Sequence, residues 1–104
     1  MNPVTPPQRL ESLTYQVDHL NVIFQQHWYQ ENIETLIDIL FSSIMPVTIQ
    51  EKIIGADREN IRFSWAGHHF VLNFEIYSQS CWIEGQDGQS TELLATLHLA
   101  ITKK

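Results

Sequence analysis

Hydrophobic and polar residues alternate along residues 60–84, NIRFSWAGHHFVLNFEIYSQSCWIE. Because successive side chains of a strand point to opposite faces, this alternation predicts antiparallel strands that share one apolar face. The residues predicted on that face are Ile61, Phe63, Trp65, Phe70, Leu72, Phe74, Ile76, Cys81 and Ile83. The pattern therefore predicts a sheet with its core on one side.

Two tight turns are expected to connect these strands, at residues 66–67 and at residues 78–79. The cross-strand pairs that follow from these turns are Phe63 with Phe70, Ile76 with Cys81, Phe74 with Ile83, and Trp82 with Glu75. A further strand is expected at residues 47–54, before the turn GADREN.

Two segments have the apolar stripe of an amphipathic helix. The first spans residues 29–45 and ends at Pro46, which cannot continue a helix. Its stripe consists of Ile33, Leu36, Ile37, Leu40, Phe41 and Ile44. The second helix is expected at residues 91–102, after a loop at residues 84–90, with Ser90 as its N-cap.

Residues 10–26 fit two different structures. A helical stripe is formed by Leu10, Leu13, Val17, Leu20 and Phe24, yet the same segment also alternates as a strand does. No Gly or Pro separates it from the next helix, so an all-helical chain here would give one helix of about forty residues, too long for a compact domain. Either a turn lies near His27 and Trp28, or residues 13–26 form a strand, and both alternatives stay open.

These elements predict one α+β domain across residues 1–104, with residues 1–7 as a flexible lead-in. Its antiparallel sheet would have four strands, or five if residues 13–26 join it. Helices 29–45 and 91–102 would pack on one face of that sheet, because both layers must bury their apolar sides.

The charge of the chain narrows the classes of partner. The chain has twelve acidic and six basic residues, which gives a formal net charge of −6, and the basic residues form no run in the sequence. This acidic balance disfavours nucleic acids and anionic membranes as partners. No apolar segment approaches the ~20 residues of a membrane span, no signal peptide is recognisable, and the one cysteine, Cys81, excludes an internal disulfide. We therefore expect a cytoplasmic protein.

The second face of the predicted sheet is the main candidate for a functional surface. Tyr, Trp and Arg are enriched at interface hot spots. The interaction-face candidates are Arg62, His69, Glu75, Tyr77 and Trp82, with Arg62 expected to pair with Glu75 across strands. The sequence thus favours a non-catalytic protein-interaction module or a homodimer, with another protein or a second copy as partner.

The alternative function is a small-molecule or metal-binding protein, or a minor enzyme, that uses His69 and Glu75, because a histidine and a carboxylate on one face can bind a metal or act as acid and base. Six residues separate them, about 20 Å along an extended strand, so a third element would have to complete the site. No catalytic or cofactor motif is present, and neither a metal nor a cofactor is expected.

Residues 50–85 resemble a family of small bacterial proteins known only as a domain of unknown function. The resemblance is carried by GADREN with the strands that follow it, and by the turn Tyr77-Ser78-Gln79-Ser80 that leads into Trp82 and Glu84. It implies a small cytoplasmic bacterial protein with no assigned activity, and it supplies no catalytic residue.

We predict that the protein, purified without an affinity tag, carries no stoichiometric zinc or iron. Adjacent strand residues point to opposite faces, so His68 and His69 diverge, and Cys81 belongs to the core face. Elemental analysis of the purified protein checks this. About one tightly held metal per chain, lost in His69→Ala, would contradict the prediction.

Overall fold

The computed structural model describes residues 7–103 and contains a six-stranded antiparallel sheet with helices against one face. The strands are β1 (Leu10–Tyr15), β2 (His19–Phe24), β3 (Thr48–Ile54), β4 (Arg58–Trp65), β5 (His68–Glu75) and β6 (Ser80–Gly85). The helices are α1 (Ile33–Phe41), which follows a 3-10 turn at Gln30–Asn32, α2 (Gly88–Glu92) and α3 (Leu94–Thr102). The predicted α+β class is confirmed, but six strands replace the expected four or five.

Strand order in the sheet is β1-β2-β6-β5-β4-β3. Strands β3 to β6 form a meander of neighbouring hairpins, and the β1–β2 hairpin adds to its β6 edge. The segment containing α1 connects β2 to β3, which lies at the far edge of the sheet. Within residues 7–103, no helix has the length and apolar character needed to cross a bilayer. The lead-in predicted for residues 1–7 lies outside the described residues, apart from Pro7.

The segment left open between helix and strand forms the β1–β2 hairpin. Leu13, Leu20 and Val22 are buried in the core, whereas Val17, a member of the alternative helical stripe, lies in the turn and is 87% exposed. The turn is closed by a bond from Gln16 N to His19 O of 2.8 Å. The helical alternative is therefore wrong, because a strand register buries the apolar residues without burying Val17.

The turn between β5 and β6 is longer than predicted. Glu75 pairs with Ser80 and Phe74 with Cys81, so four residues, 76–79, form the turn. Gln79 adopts a positive φ of 56°, and its side chain accepts from Trp28 N at 3.0 Å and donates to Trp28 O at 2.8 Å.

This longer turn shifts the β5–β6 register by two residues. The expected pairs of Ile76 with Cys81, Phe74 with Ile83, and Trp82 with Glu75 are wrong, whereas Phe63 does lie opposite Phe70. A shift of two residues keeps every side chain on its predicted face. The core prediction therefore survives the error in pairing.

The core lies between the predicted apolar sheet face and helices α1 and α3. Aromatic side chains form its centre. The ring centroid of Phe63 lies 4.6 Å from that of Phe41 and 5.5 Å from that of Phe70. The rings of Trp28 and Phe74 pack edge to face, with their centroids 5.5 Å apart. The predicted core residues Phe63, Phe70, Leu72, Phe74, Ile37 and Leu40 are all buried, and Leu97 of α3 is buried with them. Cys81 is buried with them, and burial raises the pKa of its thiol well above the ordinary value.

The C-terminal helix differs from the prediction at its start. Asp87, not Ser90, is the N-cap, because Asp87 Oδ1 accepts a hydrogen bond from Ser90 N at 2.8 Å. Ser90 is buried, and its hydroxyl accepts from His69 N at 3.1 Å. The predicted helix 91–102 is divided at Leu93 into α2 and α3. The bond from the Ser90 amide also lowers the pKa of the Asp87 carboxyl.

Replacing Phe74 by alanine should lower the free energy of unfolding by roughly 3–5 kcal/mol, since a fully buried aromatic side chain leaves a cavity. Urea denaturation followed by circular dichroism measures this. Tyr77→Ala is the matched control, because Tyr77 is 91% exposed and its removal should change little. A loss below about 1 kcal/mol for Phe74→Ala would contradict the assigned core.

Asp87→Ala should lower the thermal unfolding midpoint at neutral pH by removing the cap of α2. Since the folded-state pKa of Asp87 is lowered from 3.8, the charged cap stabilises the fold fully above that value and loses its effect as the pH falls through the lowered pKa. The difference from the parent should therefore shrink in strong acid. Glu92→Ala, another exposed carboxyl at α2, controls for the loss of charge. A constant difference at all pH values would contradict this role.

Candidate functional site

The sheet face opposite the helices is solvated, and we call it the open face. Its residues include Arg58, Asn60, Arg62, His69, Val71, Asn73, Glu75, Trp82 and Glu84, together with His19, Asn21 and Ile23 from β2. Ile23 on β2 and Ile53 on β3 are exposed near opposite edges of this face. The open face therefore reaches solvent near both edges of the sheet.

One row of cross-strand neighbours runs through the centre of the open face. It consists of Thr14, Asn21, Trp82, Asn73, Asn60 and Ile53, one from each strand in sheet order. Asn60 Nδ2 donates to Asn73 Oδ1 at 2.6 Å, and Asn73 Nδ2 lies 3.3 Å from Glu84 Oε1. Asn73 is only 4% exposed, so these bonds satisfy a buried amide and fix its orientation. These bonds link side chains from β4, β5 and β6 at the centre of the face.

A trough of about 350 Å³ lies beside this row, where β2 pairs with β6. It is lined by Asp18, His19, Asn21, Ser80, Trp82 and Glu84. His19 lies opposite Glu84, and Asn21 lies opposite Trp82, so the pairing of two strands creates the trough. Trp82 is half-buried and forms one of its walls.

Asp18 and His19 form a hydrogen-bonded pair at one end of the trough, with His19 Nδ1 donating to Asp18 Oδ1 at 2.7 Å. This bond lowers the pKa of the Asp18 carboxyl, and the imidazole charge adds to the effect. The bond from His19 Nδ1 also fixes the imidazole beside the carboxylate at this end of the trough. The pair thus offers the trough a carboxylate and an imidazole.

The trough does not contain a Ser–His pair. Ser80 is four residues from Glu84, the residue opposite His19, which corresponds to about 14 Å along the strand. The hydroxyl of Ser80 is hydrogen-bonded to Ser78 Oγ at 2.8 Å. The two side chains therefore line the same trough without forming a nucleophile–base pair.

Four of the five interaction-face candidates lie on the open face: Arg62, His69, Glu75 and Trp82. Tyr77 does not, because it lies in the 76–79 turn. The expected pair of Arg62 with Glu75 is wrong. Arg62 lies 3.2 Å from Glu51 on β3, and Glu75 lies 3.5 Å from Arg58.

His69 and Glu75 lie at opposite ends of β5 and are not brought together. His69 Nδ1 is 3.2 Å from Gln50 Oε1, whereas Glu75 is engaged by Arg58 at 3.5 Å. Among residues 7–103, no group of three or more His, Cys, Asp or Glu side chains is placed to hold a metal ion.

Sequence reasoning missed Asp18, His19 and Asn21. They became part of the site only because residues 19–24 form a strand that pairs with β6. The available signal was the alternation of His19 and Asn21 with Leu20 and Val22, which indicates one polar and one apolar face.

Comparison with known proteins gives one match. Residues 10–100, from β1 into α3, match the model of a family described as "Protein of unknown function (DUF3630)". Neither the curated proteins nor the solved structures include a match to this chain. The resemblance predicted from residues 50–85 is thus confirmed and extends over nearly all of the sheet and helices. The chain belongs to the family described as protein of unknown function (DUF3630).

Proposed function

We propose that the protein is a non-catalytic interaction module of the cytoplasm that binds another protein through its open face. The observation that carries this proposal is the trough between β2 and β6, an exposed concavity with an aromatic wall on a rigid sheet. A homodimer through the same face is the other form of association indicated by the sequence.

The rigidity of the open face supports a binding role. The bonds from Asn60 through Asn73 to Glu84 hold three side chains in place before any partner arrives. A preorganised surface loses little conformational entropy on association. Trp82 stands beside these residues, and tryptophan is among the residues most enriched at interface hot spots.

The charge of the trough favours a basic partner. Asp18 and Glu84 both line it, and Glu84 has no ion-pair partner among residues 7–103. The chain as a whole carries a formal charge of −6. A partner with a Lys or Arg side chain at this point would complement the carboxylates, and its cation would meet the face of Trp82.

The free thiol supports the proposed compartment. Cys81 is buried between β2 and β5 and has no second cysteine with which to pair. A protein that carries one reduced cysteine and no disulfide suits a reducing environment such as the cytoplasm.

Trp82→Glu should abolish capture of the partner from a lysate of the native host, because it places a charge at the centre of the open face and removes the aromatic wall. The measurement is affinity capture with mass spectrometry, with circular dichroism to verify the fold. Tyr77→Glu is the matched control, since it makes the same kind of change on the 76–79 turn. Equal capture by both variants would contradict the proposal.

Glu84→Gln tests the charge separately. The glutamine oxygen can still accept from Asn73, so the face should remain ordered while its negative charge is lost. Capture should weaken in this variant and should weaken in the parent as salt is added. Capture that is insensitive to both changes would exclude a basic partner at the trough.

A further inference from the structure

We propose that two copies of the chain associate through β3, with the two β3 strands antiparallel about a twofold axis at Ile53. The two six-stranded sheets then form one continuous sheet. This association uses the edge of the sheet, and it does not depend on the binding function proposed for the open face.

Strand β3 is an edge of the sheet. Among residues 7–103 it pairs with β4 alone, and all of its residues are exposed. Ile53 is 51% and Ile54 is 64% exposed. Within residues 7–103, no backbone hydrogen bond reaches the outer side of this strand. An edge with free backbone groups and exposed aliphatic side chains is a template for pairing with another strand.

The opposite edge of the sheet is treated differently. Gln16 N donates to His19 O, so residues 16 and 19 form a hydrogen-bonded pair of the antiparallel ladder. Hydrogen-bonded and non-hydrogen-bonded pairs alternate along two such strands. Leu13 is three positions from Gln16, so its N–H and C=O groups point away from β2. The outward carbonyl of Leu13 accepts from His98 Nε2 of α3 at 2.7 Å. Helix α3 thus covers part of the β1 edge, and β3 has no comparable cover among the described residues.

The backbone pattern of β3 restricts how a second copy can pair. Gly55 N donates to Arg58 O at 2.7 Å, which makes 55 and 58 a hydrogen-bonded pair. By alternation, Ile53 and Glu51 also bond to β4, whereas Ile54 and Lys52 direct their N–H and C=O groups outward. A second β3 must therefore present its own residues 52 and 54 to these outward groups.

Three twofold registers meet this condition, centred on residue 52, 53 or 54. A centre at Lys52 would extend the pairing into the bulge between Ile49 and Glu51, where the ladder is disrupted. A centre at Ile54 would leave little overlap, because β3 ends there. A centre at Ile53 sets Ile53 against its copy and Lys52 against Ile54, with about four new backbone hydrogen bonds.

Lys52 does not protect the edge as a free charge would. Its Nζ lies 2.6 Å from Glu34 Oε1 on α1 of the same chain. The ammonium group is thereby held toward the helix, and the aliphatic part of the side chain is available to cover Ile54 of the other copy. The charge that commonly guards an edge strand is here paired with a carboxylate of the same chain.

The first test is the oligomeric state of the full chain by sedimentation at several concentrations. The parent should show a concentration-dependent dimer. Ile53→Lys places like charges opposite each other at the axis and should raise the dimer dissociation constant about tenfold or more. Val17→Lys is the matched control, because Val17 is an exposed aliphatic residue at the other end of the sheet, and this variant should dimerise like the parent.

Ile54→Pro tests the backbone. Its N–H points away from β4, so proline removes a bond to the second copy without removing one within the sheet. It too should weaken the dimer while circular dichroism remains unchanged. A parent that stays monomeric, or a dimer that persists in Ile53→Lys, would overturn the proposal.

A cysteine at the axis tests the register independently of stability. Ile53→Cys places two thiols in a non-hydrogen-bonded pair, with Cα atoms about 4.5 Å apart, and it should form a covalent dimer on mild oxidation. Glu51→Cys should not, because the two thiols would be about 14 Å apart along the strands. The buried Cys81 does not compete. Cross-linking of Glu51→Cys as fast as Ile53→Cys would overturn the assigned register.

Trp82→Glu separates this proposal from the binding function. It alters the open face far from β3, so it should lose partner capture and still dimerise. If Trp82→Glu loses the dimer instead, the copies associate through the open face and the β3 proposal is wrong. If it dimerises and still captures the partner, the proposed function fails and the β3 proposal stands.

Discussion

The pairing of β2 with β6 is the contact on which the rest of the molecule depends. The β1–β2 hairpin cannot persist alone, since an isolated two-stranded hairpin is marginal in water. Docking against β6 places Leu20 opposite Ile83 and Val22 opposite Cys81 in the core. The same pairing sets Asn21 against Trp82 on the other face and so builds the trough. One register therefore determines both the completeness of the core and the existence of the site.

The sequence allowed the faces of the sheet to be predicted better than the partners of its strands. Every residue assigned to the core between Ile61 and Ile83 is buried or packs against the buried cluster, because alternation depends only on local spacing. The β5–β6 register depends on Gln79, whose side chain bonds to Trp28, 51 residues away. No local pattern contains that contact. The turn between β1 and β2 contains no Gly or Pro, so no local signal indicated that residues 10–24 form two paired strands.

The candidate site was predictable only in part for a related reason. Trp82 could be assigned to the polar face from alternation on β6. The residues that complete the trough come from β2, and their position follows from a pairing between segments about sixty residues apart in the chain. The pairing of Arg62 and Glu75 failed because each arginine of β4 found a carboxylate on a different strand, Glu51 for Arg62 and Glu75 for Arg58.

Because Cys81 is buried, the chemical reactivity of its thiol depends on local opening of the core. The residue lies on β6, the strand that joins the hairpin to the meander, its thiol belongs to the core, and burial raises the pKa of that thiol. A thiol-specific reagent needs an accessible thiolate, so modification has to wait until a separation of the helices from the sheet exposes the core face. The rate at which the native chain is modified would then measure the frequency of that separation, without any label being introduced.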